Sequence, residues 1–391
     1  MRVAVLGTGM VGHAVVGQLA KSRAVAEVVA VDAEQSRVER IAAAANRPNV
    51  TGRTVNLGDE ATVTGLLREF DIAVNCLPAV LTLQTTRAAI AGNCHLVDLS
   101  NAAYTEKLEL DDSAKAAGVL VVTGCGVAPG IVGILAARGA ELLDEADEAV
   151  MICGGLPRHP VPPLWYQVVF SVDSLFQLYR KHSLAAENGQ LVQIPPFSGL
   201  ETIEFDAPVG ECEAVITDAW SVPYTLRHKV KRIYEKTVRY KGHWSKLATL
   251  AELGFMSDTP VEAGGVQVSP YELTKRVLEP QMKGGSVEDI TVARVTVTGM
   301  YRGQPAKVQW EMTDFFDPLR NMTSMARTTG FPAVVMAEWI AEARMGERGI
   351  RTPEQLITGN RFEPFLAALH EEGIRIAYTG NPVPEAEGER P

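Results

Sequence analysis

Apolar residues in the first 125 positions fall in short continuous runs, each followed by a stretch with helical spacing. That alternation is expected of buried parallel strands and their covering helices. The first run is Arg2–Leu6; a helix-like stretch from Ala14 to Lys21 follows, then a second run from Glu27 to Val31 that ends on Asp32. The pattern continues with a strand at Thr54–Leu57, a helix at Ala61–Glu69 and a buried strand from Ile72 that Pro78 stops. A helix at Leu83–Ala91, a strand at His95–Ser100, a helix at Asp111–Ala117 and a strand at Val119–Val122 complete it. Six strands by residue 123 match a Rossmann sheet. Beyond residue 145 the period changes: strand-like stretches at Glu148–Cys153, Glu213–Thr217, Thr237–Tyr240, Ile290–Tyr301 and Lys307–Thr313 have hairpin-like spacing. The middle of the chain is therefore expected to be a predominantly antiparallel sheet with helices on one face. Ser324–Ala343 returns to a helical pattern that folds back onto the nucleotide domain, and Pro382–Pro391 reads as a loose acidic tail.

Between the first strand and first helix stands Gly7-Thr8-Gly9-Met10-Val11-Gly12, a dinucleotide fingerprint in its proper context. Gly7 allows the tight turn, Gly9 lets a pyrophosphate approach the backbone, and Gly12 lets helix and strand pack closely. Met10 and Val11 lie in the turn that leads into the helix whose N–H groups and dipole face the anion. Asp32 follows Gly12 by 20 residues, where a carboxylate accepts from ribose hydroxyls and repels a 2′-phosphate, so the expected cofactor is NAD. Arg37 is the one nearby residue that tolerates a phosphate. Ligands of such sheets sit beyond the strand carboxyl ends, which puts Asp59 on the adenine side and Cys76, Leu77 and Pro78 on the nicotinamide side. Ordinary strand-end packing is the other reading of the last three. Gly124–Gly130, before an apolar helix at Ile131–Ala140, is either a second anion-facing turn or a plain strand-to-helix connection. Asp98, beside Ser100, either steadies an iminium near the nicotinamide or caps the segment that follows.

Composition narrows the partners. A chain of 391 residues exceeds one ordinary core, so two domains are expected. The net charge is −10 and the basic residues are scattered except from Arg227 to Lys246, which argues for a small-molecule substrate and against nucleic acid or a membrane. The N-terminus lacks signal-peptide features and no apolar run reaches the ~20 residues of a membrane helix, so a cytoplasmic location is expected. Five cysteines without a Cys-x-x-Cys pair indicate neither a disulfide framework nor a zinc site, and no metal is expected.

Several motifs point the same way: Gly-Val-Ala-Pro-Gly at 126–130, Gly-Gly-Leu-Pro at 154–157, Pro-Pro-Leu-Trp-Tyr at 162–166, Val-Phe-Ser at 169–171, Lys-Thr-Val-Arg-Tyr-Lys-Gly-His at 236–243 and Met-Ala-Arg-Thr-Thr-Gly at 325–330. Together they resemble the saccharopine dehydrogenase superfamily, and within it the lysine 6-dehydrogenases, over nearly the whole chain. The resemblance implies an α/β fold with a discontinuous Rossmann domain, a doubly wound parallel sheet from residues 1–125 plus about 320–391. It implies a second α+β domain over 126–319 that binds substrate and mediates homo-oligomerisation. It also implies NAD-dependent oxidation of an amine at the side-chain end of an amino acid; for lysine, the product aldehyde would cyclise with its own α-amine.

Such chemistry needs a carboxylate clamp, a proton-transferring group and a dry face over the nicotinamide. Arg239 suits the clamp through its planar fork. His243 titrates in the right range for acid–base work, with Lys241 or Tyr240 assisting. On a strand Arg239, Lys241 and His243 share one face and Tyr240 takes the other; an exposed basic strand is the alternative. Tyr166 and Trp165 wall the pocket or pack in a core. One departure bears on the substrate. Where small residues are expected before the Arg-Tyr-x-Gly-His motif, this chain has Thr217-Asp218-Ala219-Trp220-Ser221-Val222-Pro223-Tyr224. Free lysine is thus less secure than the reaction class, and a saccharopine-type secondary amine stays open. Two other classes remain: a non-catalytic NAD or amino-acid sensor, and a hydrolase using Cys125 or Cys76 with His243, although neither cysteine lies in a nucleophile motif.

Overall fold

In the computed structural model, which describes residues 1–168, 172–284, 286 and 288–381, the N-terminal third builds one parallel sheet. Its elements are β1 (Arg2–Leu6), α1 (Met10–Leu19), β2 (Glu27–Asp32), α2 (Gln35–Ala45), β3 (Val50–Thr54), α3 (Glu60–Leu67), β4 (Ile72–Asn75), α4 (Thr82–Ala91), β5 (His95–Asp98), α5 (Tyr104–Leu108), α6 (Asp111–Ala116) and β6 (Leu120–Thr123). The apolar runs became strands because both faces are covered: Val3–Leu6, Val28–Val31, Ile72–Val74 and Leu120–Val122 are fully buried. One expectation was displaced. The strand at Thr54–Leu57 is instead β3, four residues earlier at its start, because this edge strand buries only Val50 and lacks an apolar run. Gly52 stands there because a Cβ would come within 2.3 Å of Val38 on α2, while Leu57 is buried as irregular chain.

A buried helix, α7 (Ile131–Leu142), leads into β7 (Glu145–Pro157), and then come α8 (Val172–Leu178), β8 (Ser183–Glu187), β9 (Gln190–Ile194), β10 (Glu201–Phe205), β11 (Gly210–Thr217), α9 (Val222–Leu226), β12 (Val230–Tyr240) and α10 (His243–Glu252). A small hairpin, β13 (Val261–Ala263) with β14 (Val266–Val268), precedes α11 (Pro270–Met282), β15 (Asp289–Tyr301) and β16 (Gln304–Phe315). The chain continues through α12 (Ser324–Ala341), β17 (Gly349–Arg351), α13 (Pro353–Leu356), α14 (Phe362–Glu371) and β18 (Ala377–Tyr378). The second sheet runs β10-β11-β12-β7-β15-β16-β18, with β8 and β9 beside β12. Its pairings are antiparallel except β12 with β7.

The C-terminal part returns to the first sheet, whose order is β17-β6-β5-β4-β1-β2-β3. Helix α12 packs on α1 at Gly330, where a Cβ would lie 3.1 Å from Val15. It is anchored to the second sheet as well. Arg327 pairs with Asp314 at 2.5 Å and Asp317 at 3.2 Å, and the Asp289 carboxylate accepts from Ser324 N–H at 2.6 Å and Met325 N–H at 2.8 Å. The return is incomplete: Ala377–Tyr378 pairs with β16, and the Tyr378 ring meets Trp310 at 5.3 Å, so the last described strand sits with the second sheet. Helix α7 packs on the second sheet, and Gly139 lets it approach Val297, which a Cβ would meet at 2.4 Å. The motif at 169–171 and the tail at 382–391 lie outside the described residues. Among those residues no helix is long and apolar enough to cross a membrane.

Candidate active site

The three fingerprint glycines are glycine for different reasons. Gly7 holds φ +92°, and a Cβ there would lie 2.9 Å from the Cys76 carbonyl oxygen. At Gly12 a Cβ would lie 1.9 Å from the Gly7 carbonyl oxygen. At Gly9, the N-cap of α1, a Cβ would meet nothing within 4 Å, and no side chain caps the helix. No protein atom demands glycine at position 9. A pyrophosphate seated on the first-turn N–H groups would. Met10, 51% exposed, and half-buried Val11 flank that cradle. Gly9→Ala should therefore leave the unfolding midpoint unchanged and weaken nicotinamide dinucleotide binding by roughly tenfold or more, whereas Gly12→Ala should cost about 1–3 kcal/mol of stability through overpacking. Melting curves beside a cofactor titration separate the two; equal destabilisation would remove the cradle at Gly9.

Asp32 ends β2 and turns back on the glycine loop, accepting from Thr8 N–H and Oγ1 at 2.8 Å each and Glu34 N–H at 3.1 Å. Burial opposes its ionisation, but these hydrogen bonds and Arg37 outweigh it and hold the carboxyl below its ordinary value. Arg37 is itself paired with Glu34 at 2.7 Å. Cys76 and Leu77 wall the turn, and Pro78 is exposed. Asp59 is an exposed helix cap, accepting from Thr62 N–H at 2.8 Å.

Two expected site elements are absorbed by the fold. Asp98 is fully buried and ion-paired with equally buried Lys107 at 2.8 Å; it also accepts from Asn75 Nδ2 at 3.0 Å, Ser100 N–H at 2.9 Å and the Thr82 hydroxyl. With its oxygens so engaged it caps the following segment and presents no face to an iminium. The Gly124–Gly130 turn closes on itself. Ile131 N–H bonds Gly126 O at 2.9 Å, Gly126 N–H bonds Pro129 O at 2.9 Å, and at Gly130, φ +129°, a Cβ would lie 2.0 Å from Gly126 O. It is the connection, with these donors turned inward, and not an anion turn.

The second cluster gathers at the end of β12. Arg239 is 2% exposed, and its Nη1 donates to Val238 O at 2.8 Å. Its Nε has no hydrogen-bond partner, and no carboxylate pairs with it, among the described residues. The guanidinium lies 4.5 Å from the Tyr166 ring centroid and 5.8 Å from that of Trp244. The expected common face of Arg239, Lys241 and His243 does not form, because the strand ends at Tyr240 and Gly242, φ +93°, turns the chain into α10. Lys241 is left exposed and paired with Glu211 at 2.7 Å, and Tyr240 donates to Pro157 O at 3.1 Å on the opposite face.

The turn still returns His243 to the pocket, edge-on to Tyr166 at 5.1 Å. The expectation that it titrates near neutrality fails. Burial foremost, then the Arg239 cation and Lys246, push His243 down to about 3, against the opposing pull of the Leu164 carbonyl. A neutral ring has one N–H. Nδ1–H donates to Leu164 O at 3.0 Å, so Nε2 accepts the Tyr179 hydroxyl at 3.1 Å. His243 therefore positions Tyr179 and the box wall. Tyr179, Phe197 and Trp244 carried no motif signal, yet Tyr179 stacks on Phe197 at 6.2 Å and Trp244 Nε1 donates to Thr237 O at 2.9 Å. Trp165 sits at the rim under Lys246, 5.7 Å away. Burial pushes the Cys76 and Cys125 thiols up, which leaves a cysteine nucleophile without support. Surface cavities of about 230 Å³ beside Lys21 and Arg47 and about 510 Å³ beside Arg227 and Lys231 contain none of these residues.

The glycine cradle thus lies on one sheet, and the buried cation with its aromatic box on the other. Residues 3–122 match the saccharopine dehydrogenase NADP binding domain, and residues 126–374 match the saccharopine dehydrogenase C-terminal domain. The chain belongs to the saccharopine dehydrogenase family. It is 26% identical over 248 residues to saccharopine dehydrogenase [NADP(+), L-glutamate-forming] of Schizosaccharomyces pombe, an alignment covering 60% of this chain and 55% of that protein. The chain thus spans about half the length of that relative. It is 22% identical over 401 residues to carboxyaminopropylagmatine dehydrogenase of Synechocystis, covering 95% of this chain and 96% of the other. Apo saccharopine dehydrogenase (L-Glu forming) from Saccharomyces cerevisiae shares the fold, with TM-score 0.81, 16% identity and coverage of 97% and 99%.

Proposed function

We propose that the chain is a dehydrogenase that uses NAD to oxidise an amine on the side chain of an amino acid. The observation that carries this reading is Arg239. A buried guanidinium with no acidic partner among the described residues calls for an anion from outside the chain, and a substrate carboxylate meets its fork. A nicotinamide dinucleotide held through its pyrophosphate at the Gly9 cradle would supply the hydride acceptor. The carbon beside the amine loses its hydride, the C=N⁺ bond adds water, and the nitrogen leaves. Amine, oxidised cofactor and water thus become carbonyl compound, released amine, reduced cofactor and one proton. The aromatic walls Tyr166, Tyr179 and Trp244 exclude bulk water, and Arg239 orients the substrate.

The relatives named above include an NADP(+) enzyme, and the matched domain is described as NADP binding. Asp32 supports NAD in this chain, since an ionised carboxylate at the end of β2 repels a 2′-phosphate. Free lysine is the substrate favoured by the motif resemblance; the named relatives favour a substituted amine.

Absorbance at the NADH band, with NAD or NADP and lysine, ornithine or saccharopine at alkaline pH, tests the reading. Reduction of NAD by one of these amines is expected, and absence of reduction with every amine despite tight cofactor binding would overturn it. Asp32→Ser should weaken NAD and bring the NAD and NADP affinities closer together. An unaltered preference would mean that Asp32 does not face the ribose.

A further inference from the structure

Arg239 is not the only buried ionisable group on its strand face without a partner of opposite charge among the described residues. Alternation along β12 puts Glu235, Thr237 and Arg239 on one side, and the contact between the Thr217 and Thr237 hydroxyls at 2.8 Å fixes that side as the one shared with β11. Glu235 is 4% exposed, and its Oε2 has no hydrogen-bond partner among the described residues. The other contact to its carboxylate comes from the Trp220 side chain. Asp218 lies beside it, accepting from Leu184 N–H at 3.3 Å and Trp220 N–H at 3.2 Å, with the field of Lys181 reaching it. Burial first, and then Asp218, push the Glu235 carboxyl well above its ordinary value.

Glu235 and Arg239 do not neutralise each other. Four residues along a strand separate their Cα atoms by about 13 Å, and the guanidinium is drawn toward Tyr166 and Trp244. Between them the floor is Thr237 and its strand neighbour Cys153, whose thiol feels both charges. Among the described residues the face therefore holds a buried cation without a counter-charge at one end and, at the other, a buried acid kept from ionising and with one oxygen left without a hydrogen bond. Both are costly in the empty fold, and one ligand of the right length, bringing a carboxylate to the first and a cation that lets the second ionise, relieves both.

We infer that Glu235 receives a cationic group of the substrate at the end opposite Arg239, so that the substrate is an elongated carboxylated amine with the oxidised C–N bond between an anionic and a cationic end. This rests on the dehydrogenase reading for the redox step but not for the binding. Trp220, the bulky residue that replaces the small ones of the lysine 6-dehydrogenase pattern, closes the cationic end and lends an aromatic face there. The span favours a molecule longer than free lysine.

The test compares two probes of equal length on the full chain in the presence of cofactor: N-(aminobutyl)-β-alanine, and N-pentyl-β-alanine, in which a methyl replaces the terminal ammonium. Calorimetry should show the ammonium probe binding roughly tenfold or more tighter than the methyl probe, as a charge-assisted hydrogen bond allows. Glu235→Gln should abolish that preference by weakening the ammonium probe alone. Arg239→Gln should weaken both. Equal binding of the two probes to the unmodified protein overturns the inference without recourse to any variant; so does a Glu235→Gln protein that keeps the preference or loses both probes alike. Parallel NADH absorbance keeps the two readings apart. A Glu235-dependent preference without reduction of any amine condemns the dehydrogenase reading alone, and reduction without preference condemns the assignment of Glu235 alone.

Discussion

Arg239→Gln should lower kcat/KM for the carboxylate-bearing substrate by roughly 10²- to 10³-fold while leaving the unfolding midpoint unchanged or slightly raised. The two halves of this expectation have one cause. In the free protein the guanidinium has given up water for a single bond to its neighbour's carbonyl and for ring faces, and its Nε is unpartnered among the described residues. A buried, uncompensated charge is a cost to folding, so an isosteric neutral amide relieves it. With substrate bound, the same guanidinium offers two parallel charged hydrogen bonds, each about 1.5–3 kcal/mol, and a tenfold change corresponds to about 1.4 kcal/mol. Arg239→Lys should recover only part of the loss, because a point charge cannot match the fork. The decarboxylated analogue of the substrate should be turned over equally by both proteins. If instead the substitution lowers the melting point by many degrees and slows the decarboxylated analogue to the same extent, Arg239 supports the box and clamps nothing.

The parts legible in the sequence are those where one local rule decides. Buried parallel strands announce themselves as apolar runs, and the fingerprint glycines are demanded by contacts only a few residues apart in the fold, Gly12 against Gly7 above all. Edge strand β3, half-exposed and interrupted by Gly52, carries no such run. The site on β12 was legible as residue types but not as geometry. Period-two alternation placed Arg239, Lys241 and His243 together, and Gly242 in the left-handed region broke the alternation two residues past the strand end. The outcome is nearly the reverse of an exposed basic strand: Lys241 is left in solvent while Arg239 and His243 are sealed in. Burial also decides what His243 can do, and burial is set by residues such as Tyr179 and Phe197 that are distant in sequence. Some motif residues that carried the family resemblance prove to be packing devices. Gly154 is required because a Cβ would lie 2.3 Å from the Val238 carbonyl, and Arg327 fastens α12 to β16. Glu235 gave no signal at all, since one acidic residue in a strand of mixed polarity looks like a solvated position until its neighbours are known.

Asp98 and Lys107 supply the second large expected effect. Their pair lies under the carboxyl ends of β4, β5 and β6, where Lys107 also donates to Ser100 O at 3.0 Å and Thr123 Oγ1 at 2.8 Å. Lys107→Met should lower stability by about 3–5 kcal/mol, the range for removing one partner of a buried ion pair. Lost packing does not explain such a figure, because methionine fills most of the lysine stem's volume. The cost arises from an Asp98 carboxylate left with hydrogen bonds from Asn75, Thr82 and Ser100 but with no cation, in a site fully closed to water. Adding Asp98→Asn to Lys107→Met should therefore recover most of the loss, since the amide keeps an acceptor for Ser100 and carries no charge to desolvate. Denaturant unfolding of the two variants gives the comparison. Cofactor affinity should follow the same order, falling in the single variant and recovering in the double, because this pair fixes the strand ends over which the nicotinamide half is expected to lie. A double variant as unstable as the single one would show that the pair's bonds to Ser100 and Thr123, and not its charge balance, hold this end of the sheet.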